Sequence, residues 1–99
     1  GEDLPVTFTA PNFVAMNLVE QATKRRRIIH LVNYDTERNP AVADIAIRCA
    51  TPQAKPATEV RFYAPGTDDG KPVDFRMAGV EAIFTAPILH AYGMIIVNW

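Results

Sequence analysis

The stretches RIIHLVNY, residues 27–34, and YGMIIVNW, residues 92–99, decide the fold class of this chain. Both alternate with a period of two residues, which is typical of β-strands, and neither contains proline. In each stretch both alternating sets of side chains are largely apolar. The sets are Ile28, His30, Val32, Tyr34 against Ile29, Leu31, Asn33, and Tyr92, Met94, Ile96 against Ile95, Val97, Trp99.

Apolar side chains on both faces of two strands are unusual in a small sandwich, where the outer face of each sheet is polar. Together such strands form an apolar patch of a kind that soluble monomers seldom expose. Either a neighbouring domain covers the patch or the chain self-associates, and we favour the neighbouring domain. The opening GEDLPV and the terminal Trp99 look like cuts in a longer chain, which agrees with that expectation.

Similar runs of six to nine residues occupy the rest of the chain, divided by eight prolines and by clusters of turn-forming residues. No run shows a sustained helical period. We therefore predict an all-β fold, an antiparallel β-sandwich of about eight strands, with residues 1–99 as one domain. An immunoglobulin-like form is one alternative for this sandwich. The predicted strands are Leu4–Thr9, Phe13–Gln21, Arg27–Tyr34, Val42–Ala50, Thr58–Ala64, Val73–Ala78, Val80–Ala86 and Ala91–Asn98.

The alternation also predicts which side chains face the core. The expected inward residues are Ala43, Ile45, Ile47, Cys49, Val60, Phe62, Val73, Phe75 and Met77, with Asp44, Arg48, Asp74 and Arg76 outward. Gly79 is expected to allow a tight link between two strands, and Gly66–Pro72 is expected to form a turn. Residues 23–26 are expected to join two strands, and the basic run from Lys24 to Arg27 is expected to be a solvated hairpin tip or an interdomain contact.

Length and composition exclude several functions. The chain has 99 residues and a net charge of −1, which argues against a nucleic-acid-binding domain. It contains no serine and one cysteine, so serine-nucleophile chemistry and an internal disulfide are both impossible. The longest apolar run is too short to span a membrane as a helix. We therefore expect neither nucleic-acid nor membrane partners.

The residues that could carry chemistry favour structural roles. His30 and His90 lack nearby carboxylates, so we expect histidines hydrogen-bonded to the backbone rather than metal ligands. Asp68, Asp69 and Asp74 lack the spacing of a calcium loop, and Asp35 with Glu37 lies in a turn-rich loop instead of a glycosidase cleft. Cys49 is expected to be a buried, inert thiol. We assign no catalytic residue, no metal site and no cofactor.

Four aromatic residues raise the alternative of a sugar-binding platform, because the C–H faces of pyranose rings pack on aromatic rings. They are Tyr34, Tyr63, Tyr92 and Trp99. Only Tyr63 is clearly predicted to point outward from a strand, so ordinary surface or interface positions are favoured for the set.

The succession RRRIIHLVNYD, VADIAIRCATP, VRFYAPGTDDGKPVDFRM and FTAPILHAYGMIIVNW resembles the C-terminal β-sandwich domain of bacterial glycoside hydrolases whose catalytic domain is a TIM barrel. The β-galactosidase, α-fucosidase-like and related glycosyl hydrolase groups are the nearest comparisons. The matching residues are His30, Leu31, Asn33, Tyr34, then Tyr63, Ala64, Pro65, then Pro87, Leu89, Tyr92. The resemblance implies structural roles: Asn33 closes a backbone gap at its strand end, and Tyr34 packs under the following loop.

The resemblance also implies a function. We expect a non-catalytic accessory domain of a carbohydrate-active enzyme, which docks on the catalytic domain of its parent chain and helps to shape homo-oligomer contacts. Two alternatives stay open: an autonomous carbohydrate-binding module, and an immunoglobulin-like adhesion or scaffold domain. The catalytic residues of the parent enzyme would belong to the barrel.

Overall fold

A computed structural model describes residues 6–51, 55–66 and 70–99 of the chain as two antiparallel β-sheets. The strands are β1 Val6–Thr9, β2 Val14–Gln21, β3 Arg26–Asn33, β4 Ala46–Ala50, β5 Glu59–Tyr63, β6 Lys71–Pro72, β7 Arg76–Ala78, β8 Glu81–Thr85 and β9 Tyr92–Asn98. One sheet has the order β1-β4-β8-β7 and the other the order β2-β3-β9-β5-β6. A single 3-10 turn, Ala22–Lys24, joins β2 to β3. The predicted all-β sandwich is confirmed, and the described ranges contain no helix able to cross a membrane.

The centre of the core is the antiparallel pairing of β3 with β9, in which Ile29 lies opposite Ile95. Both side chains are fully buried, as are Leu31 and Val97 on the same face. Residues from the other sheet, including Ile47, Cys49 and Phe84, complete one contiguous core. The two strands with apolar residues on both sides are thus central strands of the five-stranded sheet, and one of their faces forms its half of the core.

Gly93 allows close packing at the end of this pairing. A Cβ added there would lie 2.6 Å from the ring atom Cε1 of Phe62. The Phe62 ring therefore occupies the space that any side chain at Gly93 would need.

The predicted strand Val42–Ala50 is only partly correct, because β4 begins at Ala46. Asp44 has a φ of 60°, and this left-handed residue breaks the two-residue alternation. Ala43 is consequently exposed, whereas Ile45, Ile47 and Cys49 are buried as expected. Val42 instead forms an isolated bridge with Leu89.

The predicted strand Val73–Ala78 is also only partly correct, because the chain changes sheets within it. Lys71–Pro72 pairs with β5, whereas Arg76–Ala78 pairs with β8 of the other sheet. The expected turn Gly66–Pro72 is therefore wrong at its C-terminal end, because Lys71–Pro72 forms a strand. Residues 67–69 of the expected turn lie outside the described ranges. Val73, Phe75 and Met77 still pack against the core, as predicted. This crossing raises the strand number from the predicted eight to the nine described.

The tight link after β7 is confirmed, but the turn extends one residue further than predicted. Gly79 has a φ of 62°, and Ala78 pairs with Glu81 across the turn. Val80, predicted to start a strand, lies in this turn and is exposed.

Replacing Ile95 by alanine should lower the free energy of unfolding by about 2–5 kcal/mol, because a fully buried side chain leaves a cavity between the sheets. Urea unfolding followed by tryptophan fluorescence measures the change. The control Ile88→Ala removes an isoleucine that is 55% exposed and should change stability by no more than about 0.5 kcal/mol. Equal losses in the two variants would contradict this description of the core.

Candidate functional site

The outer face of the five-stranded sheet carries the second set of side chains from β3 and β9. The strand register places Val19, Ile28 and Ile96 side by side in one row across three strands. Met94 lies in the next row, beside His30. We call Val19, Ile28, Met94 and Ile96 the outer apolar patch.

The outer apolar patch is not sealed by the described parts of the chain. None of the outward side chains of β3 and β9 is fully buried, and Val19 is 39% exposed. The face is less uniformly apolar than the sequence indicates, because neighbouring strands contribute polar residues. Asn17 lies beside His30, and Arg61 lies beside Ile96.

Arg61 marks the border of the patch on the β5 side. Its Nε donates a hydrogen bond to Oε2 of Glu59 over 2.8 Å, and its Nη1 donates to the carbonyl oxygen of Gly70 over 2.6 Å. Gly70 also contacts the Tyr63 ring so closely that an added Cβ would lie 2.4 Å from a ring carbon. Tyr63, the aromatic residue predicted to point outward, is therefore half-buried against Gly70.

A depression of about 370 Å³ lies on the same face, at the end of β3 and the beginning of β9. We call it the tyrosine depression; it is lined mainly by Ala15, Asn17, His30, Val32, Tyr34 and Tyr92. The Nδ1 atom of His30 is hydrogen-bonded to the hydroxyl of Tyr92, and their ring centroids are 5.9 Å apart. The sequence did not indicate this pair, because 62 residues separate its members and only the β3–β9 register joins them.

Asn33 closes the loop that follows β3, as the resemblance implied. Its side chain is buried, its Nδ2 donates to the carbonyl of Asn39 over 2.6 Å, and its Oδ1 accepts from the N–H of Asp35 over 2.9 Å. Asn39 in turn donates to the Asp35 carboxylate over 3.0 Å. Asp35 thus has the expected role in a turn, and Glu37 is exposed.

The expectation that Tyr34 packs under this loop is wrong. Its backbone N–H donates to the carbonyl of Phe13 over 2.9 Å, but its side chain is 75% exposed. Because Asn33 points inward, the alternation turns Tyr34 to the outer face, where it borders the tyrosine depression.

Arg27 departs most from the interpretation of the basic run as a solvated tip or an interdomain contact. It is only 8% exposed, and it points into the sandwich on the same side of β3 as Ile29. Its Nε and Nη2 lie 2.8 and 2.7 Å from Oε1 of Glu20, and its Nη1 donates to the carbonyl of Ala50 at the end of β4. Its guanidinium carbon lies 5.7 Å from the ring centre of Trp99.

Arg27 therefore connects the two sheets, and Trp99 contacts it, which gives Trp99 a packing role within the domain. The residues before Arg27 behave more nearly as expected. Lys24 and Arg25 are exposed, and Arg26 donates to the side chain of Gln21. Arg27, Ile29 and Leu31 occupy alternate positions along one strand. This shared alternation was the one indication in the sequence that the Arg27 side chain points inward.

The remaining candidate residues have ordinary structural partners. Nδ1 of His90 lies 3.1 Å from the carbonyl oxygen of Pro40, which matches the expected backbone bond, whereas His30 bonds to Tyr92 instead. Asp74 is exposed, and Asp68 and Asp69 lie outside the described residues. Within the described ranges, no three metal-ligating side chains are grouped together.

Cys49 is fully buried, as predicted. Burial raises the pKa of its thiol, because a thiolate is poorly solvated there; the nearby Arg27 charge acts in the opposite direction but does not cancel this effect.

These features define a small β-sandwich domain whose candidate functional surface is the outer face of its larger sheet. Its fold matches part of the α-L-fucosidase isoenzyme 2 from Paenibacillus thiaminolyticus, with a TM-score of 0.77, 22% identity, and coverage of 100% of this chain and 16% of that chain. It also matches part of the cycloisomaltooligosaccharide glucanotransferase of a Paenibacillus species, solved with cycloisomaltoheptaose. There the TM-score is 0.63 and the identity 16%, over 93% of this chain and 18% of that chain.

The expected likeness to a glycosidase-associated β-sandwich is thus confirmed at the level of the fold. This chain spans less than a fifth of the length of either enzyme. No family model and no curated protein matches the chain.

Replacing Arg27 by alanine should lower the free energy of unfolding by about 2–4 kcal/mol, because it removes several charge-assisted hydrogen bonds, including the one to the Ala50 carbonyl. Arg27→Met should cost roughly half as much, since a long side chain keeps the packing. Arg48→Ala serves as the control, because the Arg48–Glu81 ion pair is exposed and worth no more than about 1 kcal/mol. Urea unfolding compares the three variants, and equal stability of Arg27→Ala and Arg48→Ala would contradict the bridging role.

The Cys49 thiol should react slowly with a disulfide reagent at mildly alkaline pH in the folded protein, and rapidly in denaturing urea. Because its pKa is raised in the folded state, the unfolded chain ionises first as pH rises. Stability should therefore fall above the ordinary thiol pKa, and this part of the pH dependence should vanish in Cys49→Ala. Fast labelling of the folded protein would show that the thiol is accessible.

Proposed function

We propose that this chain is a non-catalytic accessory domain of a glycoside-hydrolase-type enzyme and that it stabilises the catalytic domain by docking on it. The observation that carries the proposal is the fold comparison: the whole sandwich corresponds to about one sixth of the α-L-fucosidase chain. A complete sandwich that forms so small a share of an enzyme is typical of an appended domain.

The outer apolar patch is the proposed docking surface. Its row of aliphatic side chains runs from the edge strand β2 across β3 to β9, with Arg26, Glu59 and Arg61 toward its borders. An apolar centre with a polar rim is the usual composition of an interface between domains. Docking would remove the partly exposed side chains of Ile28, Met94 and Ile96 from water.

In this proposal the nucleophile and the general acid belong to the catalytic domain. The contribution of the sandwich is stability, because the apolar area buried between the domains adds to the free energy of unfolding of both. A further role in homo-oligomer contacts would use the same kind of apolar surface. An immunoglobulin-like adhesion or scaffold domain shares the fold, and the protein context distinguishes the two.

The reading frame that encodes these residues provides the first test. We expect it to encode a catalytic domain of glycoside-hydrolase type in the same chain. A reading frame without such a domain would rule out the accessory role and leave the adhesion or scaffold alternative.

The second test places a charge on the patch in the complete enzyme. Ile28→Asp should lower the midpoint of thermal inactivation by about 2–4 °C for each kcal/mol by which the charge weakens docking, because the carboxylate would be desolvated at the interface. The control is Thr85→Asp, which places the same charge on the outer face of the opposite sheet. Urea unfolding of the 99-residue chain alone corrects for any destabilisation within the sandwich, and equal midpoints after that correction would refute docking through this face.

A further inference from the structure

Tyr34 is, at 75%, the most exposed of the large hydrophobic side chains in the described ranges, and it stands at the edge of a depression. Ligand sites are concave and are lined largely by apolar and aromatic side chains, so this ring lies where a ligand in the depression would contact it. The floor beside it is formed by small or branched apolar residues, Ala15 and Val32, on adjacent strands.

The backbone that presents Tyr34 is held in place from both sides. Its N–H donates to the carbonyl of Phe13, and the preceding Asn33 is buried with both ends of its amide hydrogen-bonded. The ring is thus presented from a fixed strand end, so that little backbone ordering would oppose binding.

Polar groups converge on the same depression. His30 and Tyr92 hold each other through their hydrogen bond, which uses one imidazole nitrogen and leaves the other for a further bond. Asn17 pairs with His30 across the β2–β3 ladder and is exposed, so it offers both a donor and an acceptor. Among the described residues, no charged side chain lines the depression, and this composition favours a neutral ligand over an anion.

From these observations we propose that the tyrosine depression binds a neutral pyranose ring. The apolar C–H face of the ring packs on Tyr34, and its hydroxyl groups exchange hydrogen bonds with Asn17 and His30. The volume of about 370 Å³ lies at the small end of the range for ligand pockets, as a site for one or two sugar rings requires.

The sugar site adjoins the outer apolar patch at Met94, which lies in the row of Asn17 and His30, but it does not depend on the docking role. It lies toward the Tyr34 end of the sheet, whereas Val19, Ile28 and Ile96 form a row four residues further back along β3 from Val32. Binding is therefore measurable on the 99-residue chain alone, whatever the outcome of the docking experiments.

The test is a titration of the ¹⁵N-labelled 99-residue chain, followed by backbone amide shifts. The probes are L-fucose, D-galactose, D-glucose and isomaltotriose, the last to distinguish a ring within a chain from a free ring. We expect at least one probe to shift the amides of residues 15–17, 30–34 and 92–94, with a Kd near the millimolar range. Sorbitol, which has the hydroxyl groups but no ring face, should cause no saturable shift.

Tyr34→Ala should weaken the binding about tenfold through loss of the stacking surface, and Asn17→Ala should weaken it severalfold. Both positions are exposed, so the fold should persist, which the amide spectrum itself reports. Ile88→Ala is the matched control, because Ile88 is exposed and does not line the depression.

Three results would overturn the proposal. They are the absence of any saturable shift up to ~100 mM of every sugar, equal responses to sorbitol and the sugars, and unchanged affinity in Tyr34→Ala.

Discussion

The single register of β3 against β9 is the constraint on which the rest of the structure depends. With Ile29 opposite Ile95, the fully buried residues of both strands lie on one face. A slip of one residue in β3 would turn Ile29 and Leu31 outward and bring Ile28 and His30 into the core. The buried His30 would then lose its hydrogen bond with Tyr92 unless β9 slipped as well. The aliphatic character of Ile28 makes such a slip less costly than usual, so the polar members of the outer face contribute to specifying the register.

Arg27 extends this constraint from one sheet to two. Hydrophobic packing alone is not directional, and it permits two sheets to slide over each other by small amounts. The Arg27 guanidinium fixes one end of the sandwich, because it bonds simultaneously to Glu20 of β2 and to the carbonyl of Ala50 in β4. A second link joins the segments before β4 and β9, where Val42 and Leu89 exchange backbone hydrogen bonds of 2.8 and 2.9 Å. Directional bonds thus supplement the apolar core in aligning the sheets.

Much of the fold could be predicted from the alternation of apolar and polar residues, because each predicted strand with one clear apolar face corresponds to a strand in the structure. The errors arise where a single residue changes the direction of the chain. Asp44 enters the left-handed region and interrupts the alternation, and the segment after Pro72 passes from one sheet to the other. Neither change of chain direction depends on which residues are apolar. The pattern of apolar residues in the sequence therefore cannot reveal it.

The candidate site was less predictable than the fold, for a related reason. Tyr34 and Tyr92 were recognised as aromatic residues that could bind sugar, yet their neighbourhood depends on which strands pair. Arg27 was grouped with its charged neighbours in sequence, although its parity with Ile29 directs it inward. Local sequence gives the face on which a side chain lies, whereas the set of side chains that share a site follows from strand order.

The size of the domain explains why its proposed functions lie on an outer face. A chain of 99 residues buries only about two thirds of the surface that it exposes when unfolded. The space between the sheets is filled by the core, so an internal cleft could form only if packing were lost. Recognition of a ligand or a partner must therefore use the outer surface of the sandwich. Of its two outer faces, that of the five-stranded sheet carries the row of aliphatic side chains. On that face Met94 of the outer apolar patch lies in the row of Asn17 and His30, whereas Ile28 lies one row further from Val32 and Tyr34. An apolar contact centred on Ile28 and a sugar site centred on Tyr34 therefore adjoin each other on one sheet.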